Sequence, residues 1–186
     1  MVERDERFAQ ESYWQARYDT HDATVENIAT AGAHDWYMDY SLEPSSPLRT
    51  ILQSCAPATQ FPRVVDLGCG DSTLCREMAR DGYFTVGTDV AASAGDAQHA
   101  LFAGVPPFVH CRTSALPFGT ASCDVLIDKG TLDALLCGGD DRRARELLAE
   151  ASRCVREGGW FFSVTYAASG HPSNMGPPTH AHLQID

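Results

Sequence analysis

Three short segments gather residue types whose chemistry packing alone does not explain. "VVDLGCGDS" (64–72) sets Asp66 two residues ahead of Gly68 and two more ahead of Gly70. "VGTDV" (86–90) ends a β-branched run on Asp89. "DVLIDKGTLDALL" (124–136) drives an apolar segment into Asp128, Lys129, Gly130 and Thr131 before apolar spacing resumes at Leu132. A glycine pair between a strand and a helix lets the backbone approach a ligand, and the helix N-terminus offers free amide donors. The dinucleotide fingerprint would place a third glycine where Thr73 stands, so a pyrophosphate is disfavoured. Asp66 aims a carboxylate into the turn, which suits a cation, and Asp89 at a strand tip can accept both hydroxyls of a ribose. The bland reading makes Asp66 a helix cap and Asp89 a surface strand end. It requires both acids to fall by coincidence at the edge where open α/β sheets bind ligands.

A glycine turn between two strand-end acids describes a site for S-adenosylmethionine, whose sulfonium and amino groups are both positive. The elements needed to hold such a site follow from the rest of the chain. Strands are expected at Val64–Leu67, Tyr83–Thr88, Phe108–Cys111, Asp124–Ile127 and Trp160–Tyr166, with "THAHLQID" as a final strand. Helices are expected over Ser72–Arg80 with Leu74, Met78 and Ala79 inward, over Ala91–Leu101, from Leu132, and over Arg142–Arg156. The last presents Leu147, Leu148, Ala151 and Val155 to one side and stops at Gly158-Gly159. Strands alternating with helices of this length predict a parallel, doubly wound sheet. Ahead of it, "FAQESYWQARY" (8–18) puts Tyr13, Trp14 and Tyr18 on one helical stripe, and Ser45-Ser46-Pro47 opens a helix running to about Cys55.

The 186 residues fit one domain, and no linker or repeat divides them. A formal charge of -11 argues against a nucleic-acid partner, since releasing phosphate counterions needs a basic face. Seven cysteines without a CxxC pair suggest free thiols in a reducing compartment. The acid-rich first residues do not read as a secretory or transit peptide, and no apolar run approaches a membrane span, so a cytoplasmic location without membrane attachment is expected.

Taken together, "YWQARY", "DWYMDY", "VVDLGCGDS", "VGTDV", "LPFGTASCDVLIDKGTLDAL" and "HAHL" resemble the class I S-adenosylmethionine-dependent methyltransferases. More narrowly, they are similar to the methyltransferase-like group of protein-lysine methyltransferases acting on elongation factor 1-alpha or citrate synthase. The resemblance implies an α/β fold, a Rossmann-like doubly wound, mostly parallel sheet with an abbreviated C-terminal region. It implies a single methyltransferase domain over 1–186, with 1–60 as helical lid and substrate-side segment and 61–186 as cofactor-binding core. The cofactor is then S-adenosyl-L-methionine, the product S-adenosyl-L-homocysteine, and the partner a protein with a target lysine. Oligomeric state is left open.

Matching positions carry the cofactor contacts onto Trp14, Tyr18 and Trp36, then Asp66, Gly68 and Gly70, then Asp89, Val90, Arg112, Thr113, Asp128 and Lys129. Asp128, with Tyr37 or Asp35 from the lid, is expected to form the catalytic pocket for the acceptor amine. Where relatives carry an aspartate for the adenine amino group this chain has Arg112, which implies weaker cofactor affinity. Two other readings stay open: a small-molecule methyltransferase, and a non-catalytic cofactor- or partner-binding domain. His180 and His182 alternate in the final strand with His171 nearby, but no cysteine accompanies them at close spacing, and no metal site is expected. Cys69 and Cys111 read as small buried residues.

Overall fold

The computed structural model describes residues 5–19, 35–40, 46–101, 107–165 and 179–184. A 3-10 turn, Glu6–Ala9, precedes helix α1 (Glu11–Asp19), and α2 (Pro47–Cys55) follows. Then come β1 (Arg63–Leu67), α3 (Leu74–Arg80), β2 (Phe84–Asp89), α4 (Ala92–Leu101), β3 (Phe108–His110) and β4 (Cys123–Lys129). The chain continues with α5 (Thr131–Leu136), α6 (Arg142–Cys154), β5 (Val155–Thr165) and β6 (Thr179–Gln184). The strand order is β3-β2-β1-β4-β5-β6; β1 to β5 are parallel and β6 runs antiparallel to β5. The expected doubly wound, mostly parallel sheet is therefore present.

Alternation along the strands splits the core in two. Val64, Val125, Ile127, Phe162 and Val164 face one side, where Leu48 and Leu52 of α2 and Leu74 and Met78 of α3 cover them. Val65, Leu67, Leu126 and Phe161 face the other, against Leu147, Ala151 and Cys154 of α6. The inward stripe of α6 is Ala144, Leu147, Ala151 and Cys154. Leu148, one position around the helix, is exposed, and so is Ala79 on α3, contrary to expectation. Helix α2 starts as its sequence predicts, with the Ser46 hydroxyl accepting the Arg49 amide and Pro47 in the first turn.

The glycine pair near 158 does not stop a helix. Helix α6 ends at Cys154 and the chain enters β5 at once. Cys123 pairs with Val155 while Val125 pairs with Trp160, so residues 156–159 form a bulge opposite Asp124. Gly158 sits at φ 70°, and a Cβ at Gly159 would lie 2.6 Å from the Asp124 carbonyl oxygen. Asp124 anchors this bottom edge: its carboxylate accepts from Arg63 Nη2 at 2.9 Å and Arg156 Nε at 2.7 Å. Among the described residues no helix is long and apolar enough to cross a membrane. Ser45, Tyr166 and His171 lie outside the described residues, as do the side chains of His180 and His182.

Candidate active site

A cavity of about 340 Å³ opens at the C-terminal edge of the parallel strands, roofed by the N-terminal segments. The turn after β1 forms one wall. Gly68 and Gly70 adopt φ 63° and 50°, and a Cβ at Gly68 would collide with Thr131 of α5, one at Gly70 with the Tyr18 hydroxyl. Both glycines are thus required by backbone conformation and by what lies against them.

Asp66 and Asp89 line the same wall. The Asp89 carboxylate is held by the amides of Gly70 at 3.0 Å and Ala91 at 2.8 Å, one on each oxygen. A carboxylate so oriented at a strand tip suits the two hydroxyls of a vicinal diol. Burial raises the Asp89 pKa, and these amides pull the other way. Burial also pushes the Asp66 carboxyl up to about 7, against the pull of Lys129. An acid so placed gains from a cationic ligand.

Helix α1 closes the roof. Trp14 stacks on Tyr18 with ring centroids 6.3 Å apart and meets Trp36 edge-on at 6.2 Å. Gln15 ties α1 to the start of α4, accepting the Ala92 amide at 3.2 Å and donating to Ser93 Oγ at 3.0 Å. Arg112 lines the cavity with Val90 and Thr113, and its guanidinium meets Glu11 of α1 at 2.9 Å. Glu11 escaped the sequence reading because nothing in a helix-start glutamate signals a partner 101 residues away.

The end of β4 departs from expectation. The strand runs two residues further than predicted, to Lys129, and Asp128 is fully buried beneath the cavity and does not line it. Its carboxylate accepts the Ser163 hydroxyl at 2.7 Å and the Leu132 amide at 3.0 Å, so it caps α5 and ties β4 to β5. Burial raises its pKa to about 6. The expected contact of Asp128 with cofactor or acceptor amine is replaced by a positioning role.

Asp35 also lies off the cavity wall. Its carboxylate accepts from Ser72 Oγ at 2.5 Å, Thr73 Oγ1 at 3.0 Å and Lys129 Nζ at 3.1 Å. Burial works against its charge, and Lys129 with the two hydroxyls outweighs it, holding the carboxyl below the usual range. Asp35 is therefore the latch of segment 35–40 and not part of the acceptor pocket. Tyr37 does face the cavity, as expected, and donates to Asp133 Oδ2 at 2.8 Å. Asp133, in the first turn of α5, also lines the cavity, and the sequence reading did not single it out.

Trp14, Tyr18 and Trp36 above and, along the sheet edge in strand order, Arg112 and Thr113 after β3, Asp89 and Val90 after β2, Asp66, Gly68 and Gly70 after β1 and Lys129 at the end of β4 thus converge on one cavity. Its size falls in the range of ligand pockets, ~300–1,000 Å³. The donors and acceptors fit a nucleoside with an attached cation. Among the described residues no three His, Cys, Asp or Glu side chains gather as a metal would require.

This arrangement defines a doubly wound α/β protein with a nucleoside cleft at the switch point of its sheet. Known folds agree. A 4+2 cyclase, SpnF, superposes with a TM-score of 0.60 at 17% identity over 83% of this chain and 60% of that one. An S-adenosylmethionine-dependent methyltransferase from Methanosarcina mazei gives 0.53 at 20% identity, over 68% and 58%. Residues 65–163 match the family described as Methyltransferase domain, and the chain belongs to that family. S-adenosylmethionine is the cofactor that goes with it. Mouse EEF1A lysine methyltransferase 4 is 30% identical over 179 residues, covering 90% of this chain and 65% of that protein. The human mitochondrial citrate synthase-lysine N-methyltransferase is 31% identical over 151 residues, covering 71% and 62%. The chain thus spans somewhat less than two thirds of the length of these relatives.

Proposed function

We propose that this protein transfers the methyl group of S-adenosylmethionine to a lysine side chain of a protein substrate. The observation that carries the reading is one cavity in which two strand-end carboxylates, Asp66 and Asp89, sit beneath an aromatic roof of Trp14 and Trp36. The names of the relatives, lysine methyltransferases of EEF1A and citrate synthase, support the substrate class. In this reading residues 1–60 act as lid and substrate-side segment, and 61–186 as cofactor core. Seven free thiols support a reducing compartment, and we place the protein in the cytoplasm.

When bound, the cofactor would supply a methyl group on a positively charged sulfur, for an acceptor amine that has lost its proton. The protein's task is alignment and exclusion of water. Asp89 would hold the ribose, Asp66 the amino group, Gly68 and Gly70 the backbone approach, and Thr113 the adenine edge through its amide. Trp14, Tyr18 and Trp36 would close over the sulfonium, ring faces toward the charge. Lys129, on the cavity wall and paired with Asp35 at 3.1 Å, would hold the lid segment over the cofactor.

Isothermal titration with S-adenosylhomocysteine tests the site. Micromolar binding to the wild type is expected, with loss of at least tenfold in Asp89→Ala. Wild-type binding that survives Asp89→Ala unchanged would displace the ligand from this cavity. Incubation with labelled S-adenosylmethionine and recombinant elongation factor 1-alpha or citrate synthase, followed by peptide mapping, then tests the acceptor. Label on a non-lysine residue would refute the lysine assignment.

A further inference from the structure

We propose that Asp133 is the residue that receives the substrate's amine, with Tyr37 and Thr165 positioning its carboxylate. The proposal rests on the methyltransferase reading and narrows its acceptor to a primary amine, which is met as the ammonium and gives its proton to this carboxylate before the nitrogen attacks. Three separate segments meet at this carboxylate at the C-terminal edge of β4 and β5. Tyr37 of the lid donates to Oδ2 at 2.8 Å, and Thr165 at the end of β5 donates to Oδ1. Asp133 itself comes from the first turn of α5, four residues after Lys129.

Tyr37 is held there at a cost. It is a non-glycine residue at φ 67°, a conformation that persists where surroundings over-determine it and that clusters at functional sites. Its ring packs over Gly130, where an added Cβ would come within 3.2 Å of Cε2. Gly130 sits at φ 90°, a conformation that favours glycine, and a side chain there would press on the tyrosine ring.

The cavity wall also carries Asp71 and four acids with places of their own. Glu11 pairs with Arg112, Glu146 pairs with Arg142 at 2.8 Å, and Asp66 and Asp89 stand at the ends of β1 and β2. Asp133 meets neutral hydroxyls and is half-exposed to the cavity, unlike the sealed Asp128. The Tyr37 and Thr165 hydroxyls, one on each oxygen, fix the Asp133 carboxylate on the cavity wall, where an ammonium could meet it. Such a site attracts a lysine side chain and gives a neutral hydroxyl acceptor much less.

Sinefungin tests this without knowledge of the substrate, because a carbon bearing a primary amine replaces its sulfur-methyl unit. Titration of the wild type and Asp133→Asn with sinefungin and with S-adenosylhomocysteine compares two ligands that differ at the amine. The variant is expected to keep its S-adenosylhomocysteine affinity within about twofold and to lose about tenfold for sinefungin, the size of a charged hydrogen bond. Tyr37→Phe should fall between the two. An unchanged ratio of the two affinities in Asp133→Asn would overturn the proposal. If that variant shows no melting transition, Asp133→Ser, which still offers Tyr37 a hydroxyl, takes its place under the same criteria. Absence of S-adenosylhomocysteine binding by the wild type would instead remove the methyltransferase reading, and this proposal with it.

Discussion

Asp66 carries the conflict between folding and binding at this site. Its carboxyl is buried and pushed up to about 7, so the folded chain holds a proton there that the unfolded chain gives up near pH 4. Between those values the native state binds more protons than the unfolded one, and Asp66's contribution to stability falls as pH rises. A bound cationic ligand reverses the preference by favouring the carboxylate. Two outcomes follow for Asp66→Asn. By thermal unfolding, the free variant should melt roughly 3 °C above the wild type at pH 8, with the difference closing at pH 5. By titration calorimetry, its S-adenosylhomocysteine affinity should drop at least tenfold. Wild-type affinity should itself weaken below pH 7, approaching tenfold per unit. A variant that melts lower than the wild type at pH 8 would mean that the ionised carboxylate is stabilising in the empty site.

At the scale of elements, segment 35–40 of the lid is held by a charge pair. Lys129 Nζ, with a side chain 4% exposed, donates to Asp35 at 3.1 Å, and Asp35 also binds Ser72 and Thr73 at the start of α3. The pair joins segment 35–40 to the end of β4 and the glycine turn together. Asp35→Ala leaves a buried ammonium without its carboxylate and should cost roughly 3 kcal/mol in chemical denaturation. It should also weaken S-adenosylhomocysteine at least tenfold by releasing Trp36. Adding Lys129→Met should restore most of the stability but not the affinity. Recovery of both would show that Asp35 acts on the fold alone. The same elements show what was legible beforehand. Strands β1, β2 and β4 and the glycine turn could be read because β-branched runs, strand-end acids and paired glycines are local signals. The placement of Asp128 could not, because it turns on β4 running two residues longer and on Ser163 lying opposite in register. The bulge at Gly158-Gly159 misled for a related reason: in isolation, a glycine pair after an amphipathic helix reads as a stop. Asp133 and Glu11 acquire meaning from Tyr37 and Arg112, partners 96 and 101 residues away, and local pattern carries no trace of that.

For the molecule as a whole, fold leaves the reaction open, since a cyclase shares it at a TM-score of 0.60. The property that bears on partner choice is charge. A net charge of -11 sets up a long-range field that draws basic surfaces in and speeds their encounter, more than it strengthens the final contact. A protein acceptor with a lysine-rich surface should feel that field over its whole face; a small amine should feel it at one charge. Raising ionic strength from 50 to 200 mM shortens the Debye length from about 14 to about 7 Å. Steady-state methylation of a basic protein acceptor should then show KM rising severalfold while kcat holds within about twofold. S-adenosylhomocysteine binding over the same range should change less than twofold, because its contacts are local to the cavity. A KM that is flat with salt would place recognition in the cavity alone and favour a small-molecule acceptor, where Asp133 and Tyr37 would have to do the selecting unaided.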